Sequence, residues 1–285
     1  MSGQNIQWFP GHMAKTRRLI GESLKLVDAA AEIIDARIPV SSRNPELAGI
    51  VAHMPKLILL NKCDMADESV TKAWLEALSK EDTAVLPVDC RSGRGLNRFL
   101  PETRRLLASR LARYREKGMA GRSLRVMVVG IPNVGKSSFI NRMAGTGKAK
   151  VANRPGVTRG NQWFTIGQGV ELLDTPGVLW PKFDDPVVGE RLAFTGAIKD
   201  TVVDIEALAC DLLDVLKASY FVLLQNRYRL NDGDCELPSY ALLEKIGMCR
   251  GMRIAGGEVD TERAAAMVLE EFRNCKIGRI SLEQP

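Results

Sequence analysis

The chain has 285 residues, 45% of them hydrophobic and 26% charged, the profile of an ordinary globular protein with room for about two domains. Lys and Arg number 40 against 34 Asp and Glu, and the net charge of +6 suits a polyanionic partner such as RNA or merely a soluble basic protein. No apolar run approaches the ~20 residues that span a bilayer. The start lacks a signal-peptide pattern, and six scattered cysteines form no C-x-x-C pair, so a cytoplasmic, membrane-free protein without zinc or disulfides is expected.

In chain order, residues 1–12 are loop-like, with His12 following Trp8-Phe9-Pro10-Gly11. A rough helical stripe of Met13, Leu19, Ile20, Leu24 and Val27 follows. Apolar runs at Ala29 to Asp35, Lys56 to Leu60 and Ala84 to Val88 predict buried strands, with a helix over Val70 to Leu78. Gly95 to Lys117 predicts one long amphipathic helix, and Gly118 to Ser123 a joint. Arg125 to Val129 predicts another strand, Ser137 to Met143 a helix, and Lys148 to Arg159 a basic loop. Gln162 to Ile166 and Val170 to Leu173 suggest a hairpin. From about Pro186 the pattern turns helical: Val203 to Leu224, Ser239 to Ile246, and Thr261 to Arg273 with Asp260 as N-cap. The tail KIGRISLE suggests a short strand or an extended arm. The expected architecture is an α/β parallel-sheet domain over 1–185 and a mainly helical domain over 186–285.

The motifs fall at strand ends, where ligands sit in such sheets. Gly130-Ile131-Pro132-Asn133-Val134-Gly135-Lys136-Ser137 fits G-x-x-x-x-G-K-[ST] in full. Its glycines allow the tight turn that aims backbone N–H groups at phosphates, Lys136 supplies a cation, and Ser137 supplies an oxygen for Mg²⁺. Asn133, Val134, Gly135 and Ser138 complete the cradle. Asn61-Lys62-Cys63-Asp64 matches N-K-x-D. There Asp64 can accept from guanine N1–H and the 2-amino group, donors that adenine lacks, while Lys62 lies over the base and Asn61 ties loops together. Asp89-Cys90-Arg91 sits where a second base loop is expected, departing from its usual Ser-Ala-Lys. Asp174-Thr175-Pro176-Gly177 matches D-x-x-G, with Asp174 holding Mg²⁺ through water and the Gly177 N–H sensing a γ-phosphate. Thr158 is the candidate Mg²⁺-ligating threonine of the first switch.

The order is N-K-x-D, second base loop, phosphate loop, switch threonine, D-x-x-G, which is a circular permutation of the Ras-like order. In this the chain resembles the circularly permuted GTPases of the YlqF/RbgA family. Trp8-Phe9-Pro10-Gly11-His12-Met13, Asp35-Ala36-Arg37-Ile38-Pro39, Ser41-Ser42-Arg43-Asn44-Pro45 and Gly278-Arg279 add to the likeness. The fold class expected is therefore an α/β, circularly permuted Ras-like P-loop GTPase domain with a C-terminal, mainly helical domain. The resemblance implies a monomeric assembly factor that binds GTP or GDP and the large ribosomal subunit with its rRNA, and leaves after hydrolysis. Val178 stands where Ras-like proteins place a water-orienting glutamine, and the resemblance points to His12 as the substitute. It also points to Asn133 as a K⁺ ligand. Basic residues including Lys15, Arg17, Arg18, the Arg98–Arg115 face, Arg227, Arg229, Lys245, Arg250 and Arg253 are candidates for phosphate contacts. Two other readings stay open: a switch for another RNA or signalling partner, and a nucleotide-gated RNA-binding protein with little turnover.

Overall fold

The computed structural model describes Arg18, residues 20–119, 121–145, the main chain of 151–152, and residues 162–167, 169–180 and 183–285. The chain forms two compact units. One holds the described residues up to Trp180 together with Glu283–Pro285, and the other runs from Phe183 to Leu282.

The first unit is built on a seven-stranded sheet in the order β3-β2-β1-β4-β7-β6-β5. Its strands are β1 (Ala29–Asp35), β2 (Lys56–Asn61), β3 (Thr83–Pro87), β4 (Leu124–Val129), β5 (Val151–Ala152), β6 (Gln162–Ile166) and β7 (Val170–Asp174). The five strands from β3 to β7 in that order run parallel, and β6 and β5 add on antiparallel. Every residue of β1 is buried, as a near-continuous apolar run in a covered parallel sheet should be. Of the two carboxylates in that run, Glu32 and the terminal Asp35, Glu32 is paired with the Arg43 guanidinium through bonds of 3.1 and 2.7 Å. Register sets Asp35 beside Asn61, Leu60 beside Pro87 and Val128 beside Asp174, so the motif-bearing ends line one edge.

Helices α1 (Pro45–Ile50), α2 (Glu68–Leu78), α3 (Phe99–Leu106), α4 (Ala108–Glu116) and α5 (Lys136–Gly145) connect these strands. Asn44 and Asp67 cap α1 and α2, each accepting from two backbone N–H groups. The long helix expected over Gly95 to Lys117 is instead a 3₁₀ turn followed by α3 and α4, broken at Leu107. The break keeps Leu107 buried while Arg110 and Tyr114 of the next segment reach the buried Asp28 carboxylate at 2.9 and 2.6 Å. The basic loop expected over Lys148 to Arg159 contains β5, which extends the hairpin of β6 and β7.

The second unit packs α6 (Pro186–Phe194), α7 (Ile205–Tyr228), α8 (Ser239–Cys249) and α9 (Thr261–Arg273). Leu208, Leu212 and Leu216 of α7, Leu242 and Ile246 of α8, and Val268 and Phe272 of α9 are buried together as its core. Asp260 caps α9 as expected, accepting from the Arg263 N–H at 3.0 Å. Arg273 ties α6 to α9, donating to the carbonyls of Ala193 and Phe194 and pairing with Asp200. Helix α7 kinks at Tyr220, whose hydroxyl donates to the Ser281 carbonyl at 3.0 Å. The tail before Glu283 is extended and joins no strand. Among the described residues no helix is long and apolar enough to cross a membrane.

Candidate nucleotide site

The phosphate loop leaves β4 through Gly130 and enters α5 at Lys136. Gly130 has φ of 152°, and a Cβ there would stand 2.5 Å from the Ile33 carbonyl of β1. Gly135, at φ 108°, would put a Cβ 2.2 Å from the Asn61 amide nitrogen. Both positions therefore need glycine for conformation and for space. Asn133 also takes a left-handed conformation, at φ 59°, which asparagine tolerates.

Asn61 joins the two kinds of loop. Its amide nitrogen donates to the Val134 carbonyl at 2.7 Å, and its oxygen accepts from the Cys90 N–H at 2.9 Å. The Cys90 N–H is thus a brace within the site. Asp89 gathers the neighbouring groups, accepting from the Arg91 N–H at 2.7 Å. Burial works against its ionisation, but bonds from Ser92 and Arg91 outweigh that and lower its pKa. The Cys90 thiol is buried and pushed up to about 12 by that burial, then by Asp89 and Cys63, so it acts as a small hydrophobe. Cys63 is buried too, and its N–H donates to the Val88 carbonyl at 3.3 Å.

Lys62 adopts φ 61° and places its ammonium 2.9 Å from Asp35. Asp35 also takes a bidentate pair from the Arg37 guanidinium at 3.0 and 2.8 Å. Burial opposes ionisation of Asp35, but Arg37 and Lys62 together hold its carboxyl well below the usual range. Sequence reasoning gave Asp35 and Arg37 no role; the available signal was an acidic residue ending the strand next to N-K-x-D. The Asp64 Oδ1 atom is buried and has no hydrogen-bond partner among the described residues. A buried acceptor left open is costly unless a ligand donates to it.

Asn133, Lys136, Ser137, Asp174 and Gly177 line one cleft of about 380 Å³, with Pro132, Gln162, Thr175 and Pro176. Lys136 donates to its own loop carbonyls, Gly130 at 3.0 Å and Ile131 at 2.7 Å. Burial lowers its pKa to about 8, with Asp174 pulling the other way. Asp174 is raised by burial, against the opposing effects of Lys136 and the Thr175 N–H. The Thr175 hydroxyl anchors this strand end to the Val128 carbonyl at 2.6 Å. Ser138 lines a neighbouring cleft of about 490 Å³ with Cys90, Arg91 and Arg142, bringing the start of α5 to the second base loop. Val178 does not face the cleft chemistry: its side chain is buried with Leu47, Val129, Trp163 and Leu173. His12 and Thr158 lie outside the described residues. Of the basic candidates, Arg227 and Arg250 pair with Glu271 and Lys245 with Asp234, while Arg229 and Arg253 are exposed.

A phosphate loop, an N-K-x-D loop and D-x-x-G at neighbouring ends of parallel strands in one mixed sheet define a GTP-hydrolysing P-loop protein. A family model described as 50S ribosome-binding GTPase matches residues 125–236. Ribosome biogenesis GTPase A of Bacillus licheniformis is 46% identical over 98% of both chains, and that of Thermotoga maritima is 30% identical over 98% of this chain and 95% of its own. The solved GDP-bound structure of T. maritima YlqF aligns with a TM-score of 0.66 at 26% identity, covering 93% of this chain and 98% of that one. The chain belongs to the ribosome biogenesis GTPase A family and is a GTPase that acts in ribosome biogenesis.

Proposed function

We propose that the protein is a GTP-driven assembly factor that binds a precursor of the large ribosomal subunit, promotes a late maturation step and leaves on hydrolysis. The name of the matching family model and the names of the relatives support the particle, and the excess of basic residues supports contact with its rRNA. The protein acts as a monomer in the cytoplasm, with its helical unit offering cations such as Arg229 and Arg253 to RNA phosphates.

Within the site, Asp64 accepts from guanine N1–H and the 2-amino group. Lys62, steadied by Asp35, covers the base. Backbone N–H groups from Asn133 to Ser138 cradle the phosphates, and Lys136 leaves its own carbonyls for the β and γ oxygens. Gly177 offers its N–H to the γ-phosphate. Ser137 and Asp174 line one cleft and offer the hard oxygen donors that Mg²⁺ takes, so they would hold it together with Thr158. When bound, that ion neutralises charge developing on the phosphates. Asn133 supplies an oxygen suited to K⁺, and His12 is the residue proposed to orient the attacking water.

The observation that carries this reading is Val178. The residue at the water-orienting position is an apolar side chain committed to the core, so turnover is slow until a partner completes the site. Single-turnover GTP hydrolysis should therefore accelerate at least about tenfold when large ribosomal subunits are added. The protein should co-sediment with those subunits in a GTP analogue and not in GDP. Equal rates with and without subunits, or sedimentation indifferent to the nucleotide, would remove the assembly-factor reading.

A further inference from the structure

We infer that Asn44 is a positioning residue for the triphosphate state: by holding Val178, the residue directly after Gly177, it sets how well the site distinguishes GTP from GDP. This rests on the reading of Gly177 as the γ-phosphate sensor.

Asn44 is 2% exposed and uses both ends of its side-chain amide. The oxygen accepts from the N–H groups of Glu46 at 2.9 Å and Leu47 at 3.3 Å, capping α1. The nitrogen donates to the Val178 carbonyl at 3.0 Å, across 134 positions of sequence. A helix cap requires only the acceptor, and Asp or Ser would supply it as well. The donating nitrogen is therefore surplus to capping, and its target is the backbone that follows D-x-x-G.

The loop that carries Asn44 is built as a rigid mount. Ser42 accepts from the Asp35 N–H at 3.0 Å and donates to the Ile38 carbonyl at 2.7 Å. Arg43 is locked onto the buried Glu32. Val178 is gripped a second time, because its side chain packs in the same core cluster as Leu47 of α1. Gly177 thus has a fixed neighbour on its far side, and on its near side a methyl group would stand 2.7 Å from Lys136 Nζ and 3.0 Å from the Pro132 nitrogen. A γ-phosphate between Lys136 and the Gly177 N–H is met by a peptide with little freedom to retreat. Fixed donors of this kind cost no reorganisation when charge arrives. A diphosphate does not reach Gly177 and is indifferent to how it is held.

Asn44→Asp separates the two roles. It keeps acceptors for Glu46 and Leu47 but turns a carboxylate oxygen toward the Val178 carbonyl. The variant loses some stability to the buried charge but, where folded, should bind fluorescent GDP within about twofold of wild type, while its affinity for a GTP analogue falls about tenfold and kcat falls with it. Asn44→Ser, which caps without a donor that reaches Val178, should lose the same preference without introducing a charge. A wild-type ratio of GTP-analogue to GDP affinity in both variants would reduce Asn44 to a helix cap and overturn the inference. Gly177→Ala isolates the underlying reading. If that variant keeps the wild-type ratio, Gly177 is not the γ sensor and the inference falls with it; if only Gly177→Ala loses the ratio, the sensor stands and the role of Asn44 alone is refuted.

Discussion

On the base side of the sheet, Asp35, Arg37 and Lys62 hold one another in place, Asn61 is bonded at both ends, and the buried Asp64 Oδ1 atom is an acceptor left open among the described residues. On the phosphate side, Lys136 is turned inward onto Gly130 and Ile131, and burial weakens its hold on its own proton. The base half is set before a ligand arrives, whereas the phosphate half must exchange internal bonds for ligand bonds. Under the proposed site assignment, selectivity for guanine is a property of the free protein, and the response to phosphate is a property of the complex. Fixed polar groups discriminate steeply because a wrong ligand leaves them unpaired, while exchangeable ones respond to the state of the ligand they hold.

The largest expected effect tests the base half. Asp64→Asn replaces two acceptors with one acceptor and one donor, which suits xanthine, whose 2-oxo group replaces the guanine 2-amino group. The preference for GTP over XTP should shift by about a thousandfold in competition binding, and an unshifted preference would move base recognition away from Asp64. Next comes the rigidity of that half. Asp35→Asn leaves the buried Arg37 charge uncompensated and should lower stability by about 3 kcal/mol at pH 7, read from urea midpoints. Because Asp35 is held below its ordinary pKa when folded, the stability it adds is present above about pH 4 and lost progressively as pH falls below that. The gap between variant and wild type should close in acid; a constant gap would assign the loss to packing alone.

The smallest effect tests the phosphate half. With Lys136 near pKa 8 in the free loop, GDP affinity should stay level below about pH 8 and fall by up to tenfold per pH unit above it, because the lysine must take up a proton to meet phosphate. The folded pKa lies below the unfolded one, so the nucleotide-free protein should gain stability as pH rises from about 8 toward 10. Flat affinity to pH 9.5 would mean that the lysine stays charged despite its burial.

The central strands were legible because a parallel strand covered on both faces is written as an unbroken apolar run, as in Ala29–Asp35 and Leu124–Val129. The phosphate loop was legible because its function demands residue types at fixed local spacing. Helices α1 and α6 were missed although each announces itself by a cap and a proline, Asn44-Pro45 and Asp185-Pro186, in short stretches with little periodicity. The break at Leu107 was hidden because the amphipathic pattern continues across it. The work of Asp35 was marked only by an acidic residue ending the strand next to N-K-x-D, and that of Asn44 had no local mark. Each acts on a residue that the fold, and no local spacing, brings alongside.

The pairing of β1 with β4 joins two parts of the sheet that are each local in sequence: β1, β2 and β3 on one side, and β4 to β7 on the other. The seam between them runs between the base loop and the phosphate loop, and Asn61 crosses it to Val134. Within each half, strands pair with neighbours from the same part of the chain, while the seam closes a long stretch between Ala29 and Val126. Closing that seam is the high-contact-order step, so it is expected to set the pace of folding. In the proposed site a guanine nucleotide would touch both sides of it. Bound nucleotide should then act as a rivet through the middle of the sheet, adding RT ln(1 + [L]/Kd) to the joined state and nothing to the parted one. The cell's GTP would in this way help to finish the molecule that goes on to hydrolyse it.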